Sequence, residues 1–290
     1  MKILIIGGNR FVGKRLAKSL VAAGHTLSIL NRGNIDDGLG NDVVRIKADR
    51  NDAAMMANYV RMQTFDLVYD FVCYNEREAK SACDLFKGHT KRYIFISSQS
   101  VYQEGELPIA ETQFNPHREL EVVVTPGMPE YTQYAEGKRA AERTFFQEGK
   151  FPVVAVRFPV ILGQDDESQR LAFHVNKVKI GEEIFFPNPN AKLSLISSED
   201  AASALFFLAT QAFVGPINVC SKDPIELKTL MELIASKVGK PVVYGQKEKE
   251  GAHSPFGVEK NWAMDATVLL ELGFQPKPIL DWLPGLISTT

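Results

Sequence analysis

The fold is decided by residues 1–16, which read MKILIIGGNRFVGKRL. Residues 3–6 are four consecutive aliphatic side chains, a pattern typical of a strand that is covered on both faces in a parallel sheet. After a glycine-containing turn, apolar residues recur at every fourth position from Val12 to Leu20, as on the buried face of an amphipathic helix. The stretch therefore predicts a strand, a tight turn and a helix.

The turn between this strand and helix predicts an anion site. The first N–H groups of a helix have no partner within the helix, and together with the helix dipole they attract an anion such as a pyrophosphate. Gly7 suits a sharp turn and Gly13 a close approach of the helix, as in dinucleotide-binding motifs. Arg10 replaces the middle glycine, so its side chain either turns away or lies across the cofactor. A purely structural corner is the alternative. The predicted cofactor contacts of the turn are Gly7, Asn9, Arg10, Phe11, Val12 and Gly13.

The composition is that of an ordinary globular protein. Of 290 residues, 45% are apolar and 23% charged, and the net charge of −2 argues against a nucleic-acid partner. Three scattered cysteines without a CxxC pair argue against a disulfide framework and favour a reducing cytoplasm. The five dispersed histidines predict no metal site. Because no apolar run is long enough to span a bilayer and no signal peptide precedes the first strand, we expect a soluble cytoplasmic protein.

Strand and helix patterns alternate along the first half of the chain. Further apolar strands are predicted at residues 26–30, 43–48, 65–73, 93–96 and 153–158. The alternation predicts parallel pairing with right-handed crossovers and a ligand crevice at the carboxyl ends of the strands. We therefore expect an α/β fold, a Rossmann-type doubly wound parallel sheet with a smaller, interleaved C-terminal α/β lobe. The predicted domains are a nucleotide-binding domain at 1–163 and a substrate lobe at 164–290.

The ends of the second, third and fourth strands predict the surroundings of an adenosine. An acid after the second strand would accept hydrogen bonds from both ribose hydroxyls, whereas Asn31 and Arg32 suit a 2′-phosphate. This favours NADP over NAD, with a solvent-exposed turn arginine as the alternative. Asp49 ends the third strand, where an acid can accept a hydrogen bond from an adenine amino group. The cofactor contacts predicted at these strand ends are Asn31, Arg32, Asp49, Arg50, Phe71 and Val72.

One tyrosine and one lysine are placed for proton transfer. Tyr134 and Lys138 are four residues apart in a predicted helix at 131–146, so they lie on one face. A phenol keeps its proton at neutral pH unless its phenolate is stabilised, and the lysine ammonium provides such stabilisation. Ser98 ends the fifth strand and can hold a substrate oxygen in line with the phenol. The Tyr-x-x-x-Lys spacing also occurs by chance, so its weight comes from the order of all three signals.

The sequence resembles the extended and atypical short-chain dehydrogenase/reductases, the NAD-dependent epimerase/dehydratase superfamily. Ser-Ser-x-x-Val-Tyr at 97–102 is similar to the fifth-strand motif of that family, with Ser98 at its catalytic Ser/Thr position. Tyr134 and Lys138 fall on its Tyr-x-x-x-Lys motif, and residues 157–163 are similar to the loop that contacts the nicotinamide half. The resemblance adds, as implied cofactor contacts, Ser97, Tyr134, Lys138, Phe158 and Val160.

The resemblance implies an NAD(P)-dependent epimerase/dehydratase that acts on a nucleoside-diphosphate sugar or a similar carbinol. Tyr134 is then the acid/base, Lys138 supports its phenolate and orients the ribose, and Ser98 positions the substrate oxygen. A homodimer through a helix pair is also implied. Residues 103–130 are expected to form a flap over the site.

Two other functions remain open. One is an NAD(P)H-dependent reductase of a small carbonyl substrate, which has the same catalytic residues but releases the altered cofactor. The other is a non-catalytic cofactor- or RNA-binding relative. Its support is Arg10, because Gly-Gly-x-Arg-Phe-x-Gly is similar to the turn of a subgroup that includes chloroplast stem-loop RNA-binding relatives.

Overall fold

The computed structural model describes residues 1–33, 38–105, 108–118 and 127–290. The predicted flap at 103–130 therefore lies partly outside the described residues. The strands are β1 (Lys2–Ile6), β2 (Thr26–Asn31), β3 (Val43–Lys47), β4 (Leu67–Asp70), β5 (Tyr93–Ser98), β6 (Val153–Phe158), β7 (Val160–Leu162), β8 (Glu183–Ile184), β9 (Lys192–Leu193), β10 (Leu195–Ser197), β11 (Gly215–Asn218), β12 (Ile225–Glu226) and β13 (Val243–Tyr244). The helices are α1 (Phe11–Ala22), α2 (Ala53–Val60), α3 (Glu76–Phe86), α4 (Glu130–Glu148), α5 (Arg170–Ile180), α6 (Ser198–Leu208), α7 (Leu227–Val238), α8 (Thr267–Glu271) and α9 (Ile279–Thr289).

The chain divides into two compact units that alternate along the sequence. Unit 1 consists of Met1–Val101, Glu111–Phe158 and Ala202–Asn218. Unit 2 consists of Tyr102–Ala110, Pro159–Ala201 and Val219–Thr290. The division predicted from sequence, 1–163 and 164–290, stays a prediction about domains.

Unit 1 contains a seven-stranded parallel sheet with the strand order β11-β6-β5-β4-β1-β2-β3. The sheet confirms the predicted α/β fold. Residues 3–6 are buried, as a strand covered on both faces requires. In the register, Ile6 lies between Leu30 and Asp70, so β1, β2 and β4 end at the same edge of the sheet. The chain continues from β1 to β2 and β3 on one side and returns to β4 and β5 on the other side. Ligands bind in such sheets at the point where the strand order reverses in this way.

The fourth strand is shorter than predicted. Residues 65–73 were expected to form it, but β4 ends at Asp70. The reason is local hydrogen bonding, because the Asp70 carboxylate accepts the N–H of Val72 at 3.0 Å and turns the chain out of the sheet. Asn75 then caps α3 by accepting the N–H of Glu78 at 3.0 Å. Residues 71–75 therefore form a loop at the carboxyl edge of the sheet.

Unit 2 has its own apolar core, formed mainly by α5, α7, α9 and short strand pairs. His174 is fully buried within this unit, stacked on Phe256 at 4.6 Å between ring centroids. Its Nδ1 lies 2.7 Å from the carbonyl of Arg170, so Nδ1 carries the proton, and its Nε2 accepts from the hydroxyl of Ser254 at 2.8 Å. The ring is thus fully hydrogen-bonded in its neutral form.

No helix in the described part of the chain combines the length and the apolar character that crossing a bilayer requires.

Candidate active site

The glycine turn brings α1 close to the end of β1. Gly7 has a φ of +77°, which side-chain-bearing residues rarely adopt, and a Cβ there would lie 2.7 Å from Val72. A Cβ on Gly13 would collide with the backbone of Gly8. Both positions therefore require glycine, and the start of α1 packs directly against the glycine turn. Phe11 has a φ of +45°, a strained value for a residue with a side chain.

A cavity of about 410 Å³ lies at this edge within unit 1. Eight of the predicted cofactor contacts line it: Gly7, Asn9, Arg10, Asn31, Arg32, Asp49, Arg50 and Val72. The other lining residues, which were not among the predicted contacts, are Ile6, Leu30, Gly33, Ala48, Asn51, Tyr74 and Glu78. The cavity is large enough for part of a dinucleotide.

The residues after β2 present a cation to this cavity. The side-chain oxygen of Asn31 accepts the N–H of Gly33 at 2.7 Å, which forms a tight turn, and the side chain of Arg32 is exposed. After β3, Asp49 forms a similar turn by accepting the N–H of Asn51 at 2.8 Å and remains exposed. With Arg10, which also lines the cavity and is exposed, the cavity is therefore bordered by two guanidinium groups and one carboxylate that are open to solvent.

Arg50 is already engaged within the protein. Its guanidinium donates to both oxygens of Asp70, at 3.1 and 3.0 Å, and to the carbonyl of Glu78 at 3.1 Å. Asp70 is fully buried and also accepts from the hydroxyl of Tyr93 at 2.6 Å. Burial alone would lower the pKa of Arg50, but the Asp70 carboxylate outweighs it and the pKa lies above its ordinary value. Arg50 therefore borders the cavity as one member of a buried ion pair, whose other member, Asp70, was not predicted from the sequence.

Tyr134 and Lys138 lie together on the first turns of α4. The Lys138 ammonium is 5.7 Å from the centre of the Tyr134 ring and is buried, whereas Tyr134 is 37% exposed. The ammonium donates to the carbonyl of Cys73 at 2.7 Å and to that of Ile96 at 2.8 Å. Ile96 is in β5, which ends at Ser98, so Lys138 ties the helix of Tyr134 to the strand that carries the predicted serine.

The serines at the end of β5 have different surroundings. The Ser98 hydroxyl oxygen accepts the N–H of Ser100 at 3.1 Å, and in the register Ser98 pairs with Phe158 at the end of β6. The hydroxyl of Ser97 donates to Glu142 at 2.5 Å, so this predicted cofactor contact uses its side chain within the protein. Next to Ser98, the side-chain amide of Gln99 is buried, and neither of its polar atoms has a hydrogen-bond partner among the described residues.

A fully buried ion pair joins α4 to β6 beside Ser97. The carboxylate of Glu142 accepts from the Nε of Arg157 at 3.0 Å and from an Nη at 2.5 Å. Arg157 also donates to the carbonyls of Glu111, at 2.9 Å, and Phe114, at 3.0 Å. Glu142 is one helical turn beyond Lys138. The spacing of four residues from Tyr134 to Lys138 to Glu142 could therefore have indicated from the sequence that all three lie on one face of the helix.

Other predicted cofactor contacts, among them Phe71, Val12 and Val160, are not among the residues that line the cavity. The ring of Phe71 lies against Gly8, where a Cβ would be 2.9 Å from it, and Val12 is buried in α1. Val160 belongs to unit 2. Its role at the cofactor stays a prediction.

Comparison with known proteins gives one family and several distant relatives. The profile of the NAD dependent epimerase/dehydratase family matches residues 3–220. The chain is 24% identical to the chloroplast stem-loop binding protein of 41 kDa b of Arabidopsis thaliana over 253 residues, which are 76% of this chain and 62% of that protein. It is 22% identical to the 2′-dehydrokanamycin reductase of Streptomyces kanamyceticus over 275 residues, 91% of this chain and 71% of that one.

Among solved structures, the chain is similar to the UDP-glucuronic acid 4-epimerase of Bacillus cereus in complex with UDP-glucuronic acid and NAD. The TM-score is 0.77 and the identity 16%, with 100% of this chain and 97% of that chain covered. At this identity the likeness concerns the fold.

Proposed function

The chain belongs to the NAD-dependent epimerase/dehydratase family, as the sequence predicted, and on this premise we propose that it is an NAD(P)-dependent oxidoreductase of the epimerase/dehydratase type. Its proposed substrate is a nucleoside-diphosphate sugar or a similar carbinol. The observation that carries the proposal is the Tyr134–Lys138 pair, which is tied through Ile96 to the strand of Ser98. The similar UDP-glucuronic acid 4-epimerase of Bacillus cereus binds UDP-glucuronic acid, which supports the substrate class.

The residues around the cavity fit a dinucleotide. The glycine turn leaves the N-terminal N–H groups of α1 facing the edge of the sheet, where they suit a pyrophosphate. Asp49 would accept from the adenine amino group, and the third N–H of Lys138 would donate to a ribose hydroxyl because the other two are used by carbonyls. When bound, the dinucleotide supplies the hydride acceptor and donor.

We propose NADP as the preferred cofactor. Arg32 is exposed at the cavity and Asn31, the last residue of β2, is neutral, so neither of these two positions carries a carboxylate that would repel a 2′-phosphate. Replacing Arg32 by Ala should weaken NADPH binding about tenfold or more, as expected for a lost charge-assisted hydrogen bond, and leave NADH binding nearly unchanged. Titration of nucleotide fluorescence measures both affinities. Equal losses for the two nucleotides would contradict the role of Arg32.

In this proposal, residues of the chain itself transfer the proton to and from the substrate. Tyr134 gives a proton to the substrate oxygen or takes one from it, and the nearby ammonium of Lys138 stabilises the phenolate form. The hydroxyl of Ser98 holds the same substrate oxygen in line. The buried side-chain amide of Gln99, next to Ser98, has one acceptor oxygen and two N–H donors. A sugar hydroxyl can donate to that oxygen or accept from those N–H groups.

Replacement of Tyr134 by Phe tests the proposal. The variant should lose turnover of nucleoside-diphosphate sugars while its affinity for NADPH stays within about twofold, because only the proton-transferring hydroxyl is removed. Proton NMR of a panel of such sugars detects epimers, and mass spectrometry detects loss of water. Tyr131→Phe, on the same helix and 57% exposed, is the matched control. Turnover that survives in the Tyr134 variant would rule out the role assigned to this residue.

A plain reductase is the second candidate, favoured by the similarity to a 2′-dehydrokanamycin reductase. Epimerases and 4,6-dehydratases regenerate their cofactor, whereas a reductase consumes one NAD(P)H per product. Absorbance of NAD(P)H during turnover therefore separates the two. An RNA-binding role, suggested by the chloroplast relative, would require RNA retention that weakens as salt rises and does not depend on cofactor.

The last two proposals concern the oligomeric state of the protein and its cellular location. We propose a homodimer through a helix pair, to be tested by light scattering of the purified chain. We also propose a reducing cytoplasm as the location, because all three cysteines are free thiols.

A further inference from the structure

One aromatic residue at the cavity has no part in the function proposed above. Tyr74 follows β4, lines the cavity and is 45% exposed, so it contributes little to the core. Its ring centre is 6.3 Å from that of Tyr134. A large aromatic side chain that is held open to solvent beside a candidate acid/base is a candidate for a role in the site.

The backbone of Tyr74 is fixed on two sides. Its N–H donates to the carboxylate of Glu78 at 2.6 Å. Its carbonyl oxygen packs so closely against Gly137 of α4 that a Cβ there would collide with it. Gly137 directly precedes Lys138, so the backbone of Tyr74 packs against the residue next to the lysine.

Lys138 is a buried cation without a carboxylate partner among the described residues. Its ammonium donates to two carbonyls and lies near three aromatic rings. The ring centres are those of Tyr74 at 4.7 Å, Phe95 at 4.9 Å and Tyr134 at 5.7 Å. Burial raises the pKa of the neighbouring Cys73 thiol to about 12, so this group is neutral and offers no negative charge. Because a buried ammonium is costly without an ion pair, the rings contribute to its stabilisation.

Of the three rings, that of Tyr74 is the nearest to the ammonium, and Tyr74 is the most exposed of the three residues. Phe95 is fully buried in β5, and Tyr134 is the proposed acid/base. Removal of the Tyr74 ring would therefore open the ammonium to water and loosen the lysine, with little effect on the core.

We propose that Tyr74 is a positioning residue, whose ring shields the Lys138 ammonium from water and holds it beside Tyr134. The inference rests on the proposed function, in which Lys138 serves both the phenol and a ribose of the cofactor. A phenol keeps its proton at neutral pH, so the hydroxyl of Tyr74 is uncharged. The ring, and not the hydroxyl, is therefore the active part.

The test compares Tyr74→Phe, which keeps the ring, with Tyr74→Leu, which removes it, in the full-length chain. Tyr74→Met serves as a second ring-free variant if the leucine variant folds poorly. Acetic anhydride labels accessible lysines, and mass spectrometry reports the rate at Lys138 relative to the exposed Lys80 and Lys87. Fluorescence titration reports the affinity for NADPH. Tyr131→Leu is the control for loss of an exposed aromatic from this surface.

In Tyr74→Leu, the labelling of Lys138 should rise and the affinity for NADPH should fall, each about threefold to tenfold, which is the size of one partly desolvated cation–π contact. In Tyr74→Phe both values should stay within about twofold of the parent, and Lys80 and Lys87 should not change. The inference is overturned if Lys138 stays protected in the leucine variant, or if the phenylalanine variant behaves like it. If the parent binds neither NADPH nor NADH, the proposed function fails, and the labelling arm still decides whether Tyr74 shields Lys138.

Discussion

Neutralising Glu142 should destabilise the protein far more than neutralising a partly exposed glutamate on the same helix. Glu142 and Arg157 are both fully buried, and the carboxylate accepts bonds from the Ser97 hydroxyl and from two nitrogens of Arg157. In Glu142→Gln the shape is kept, but the guanidinium becomes a buried charge without its counter-ion and faces an amide N–H₂ on one side. Removal of one member of a buried pair costs about 3–5 kcal/mol.

The matched control is Glu148→Gln. Glu148 also lies in α4 and pairs with Lys150 at 3.2 Å, but both side chains are 31% exposed. Such a pair contributes about 0–1 kcal/mol. The melting temperature of the Glu142 variant should therefore fall by about 6–20 °C, and that of the Glu148 variant by no more than about 4 °C. Urea unfolding followed by circular dichroism gives the corresponding free energies of unfolding.

A double variant separates a lost ion pair from lost packing. In Glu142→Met with Arg157→Met no lone charge is buried, so most of the stability lost in Glu142→Met alone should return. The reasoning is refuted if Glu142→Gln costs no more than Glu148→Gln, or if the double variant is as unstable as the sum of the single variants.

Three further outcomes are expected. Burial lowers the pKa of His174 from 6.5 to about 4, so its neutral form contributes stability in full above pH 6.5, and this contribution, about 3 kcal/mol, is lost as the pH falls to 4. Urea midpoints of the parent should fall more steeply over this range than those of His174→Gln, and equal slopes would contradict the assignment. Gly13→Ala should abolish NADPH binding measured by fluorescence, because its Cβ would displace the glycine turn, whereas Gly285→Ala, also in a helix but with open space around it, should bind as the parent does. Gly137→Ala should weaken NADPH binding at least as much as the ring-free variants of Tyr74, because its Cβ would push the backbone of that residue out of place. Unchanged affinity would show that the loop before α3 is free to move.

Much of the site was predictable from the sequence because it depends on local patterns. The glycine turn is recognisable from an aliphatic run that stops at Gly7, and the Tyr134–Lys138 pair from a separation of four residues in a helix. The end of β4 was not predictable from the apolar run alone, since the side chain of Asp70 turns the chain out of the sheet by bonding the backbone two residues later. A polar contact of this kind overrides a hydrophobic pattern.

By itself, the sequence determined the alternation of strands and helices, the parallel sheet, the family and the placing of Tyr134 and Lys138 one turn apart on a helix. The tertiary structure alone decided what surrounds them. The Arg50–Asp70 pair, the Glu142–Arg157 pair and the contact of Lys138 with Cys73 join residues that are 20, 15 and 65 positions apart. The physical reason is that periodicity reports which face of an element is buried, whereas the partner of a buried charge depends on which distant segments the fold brings into contact.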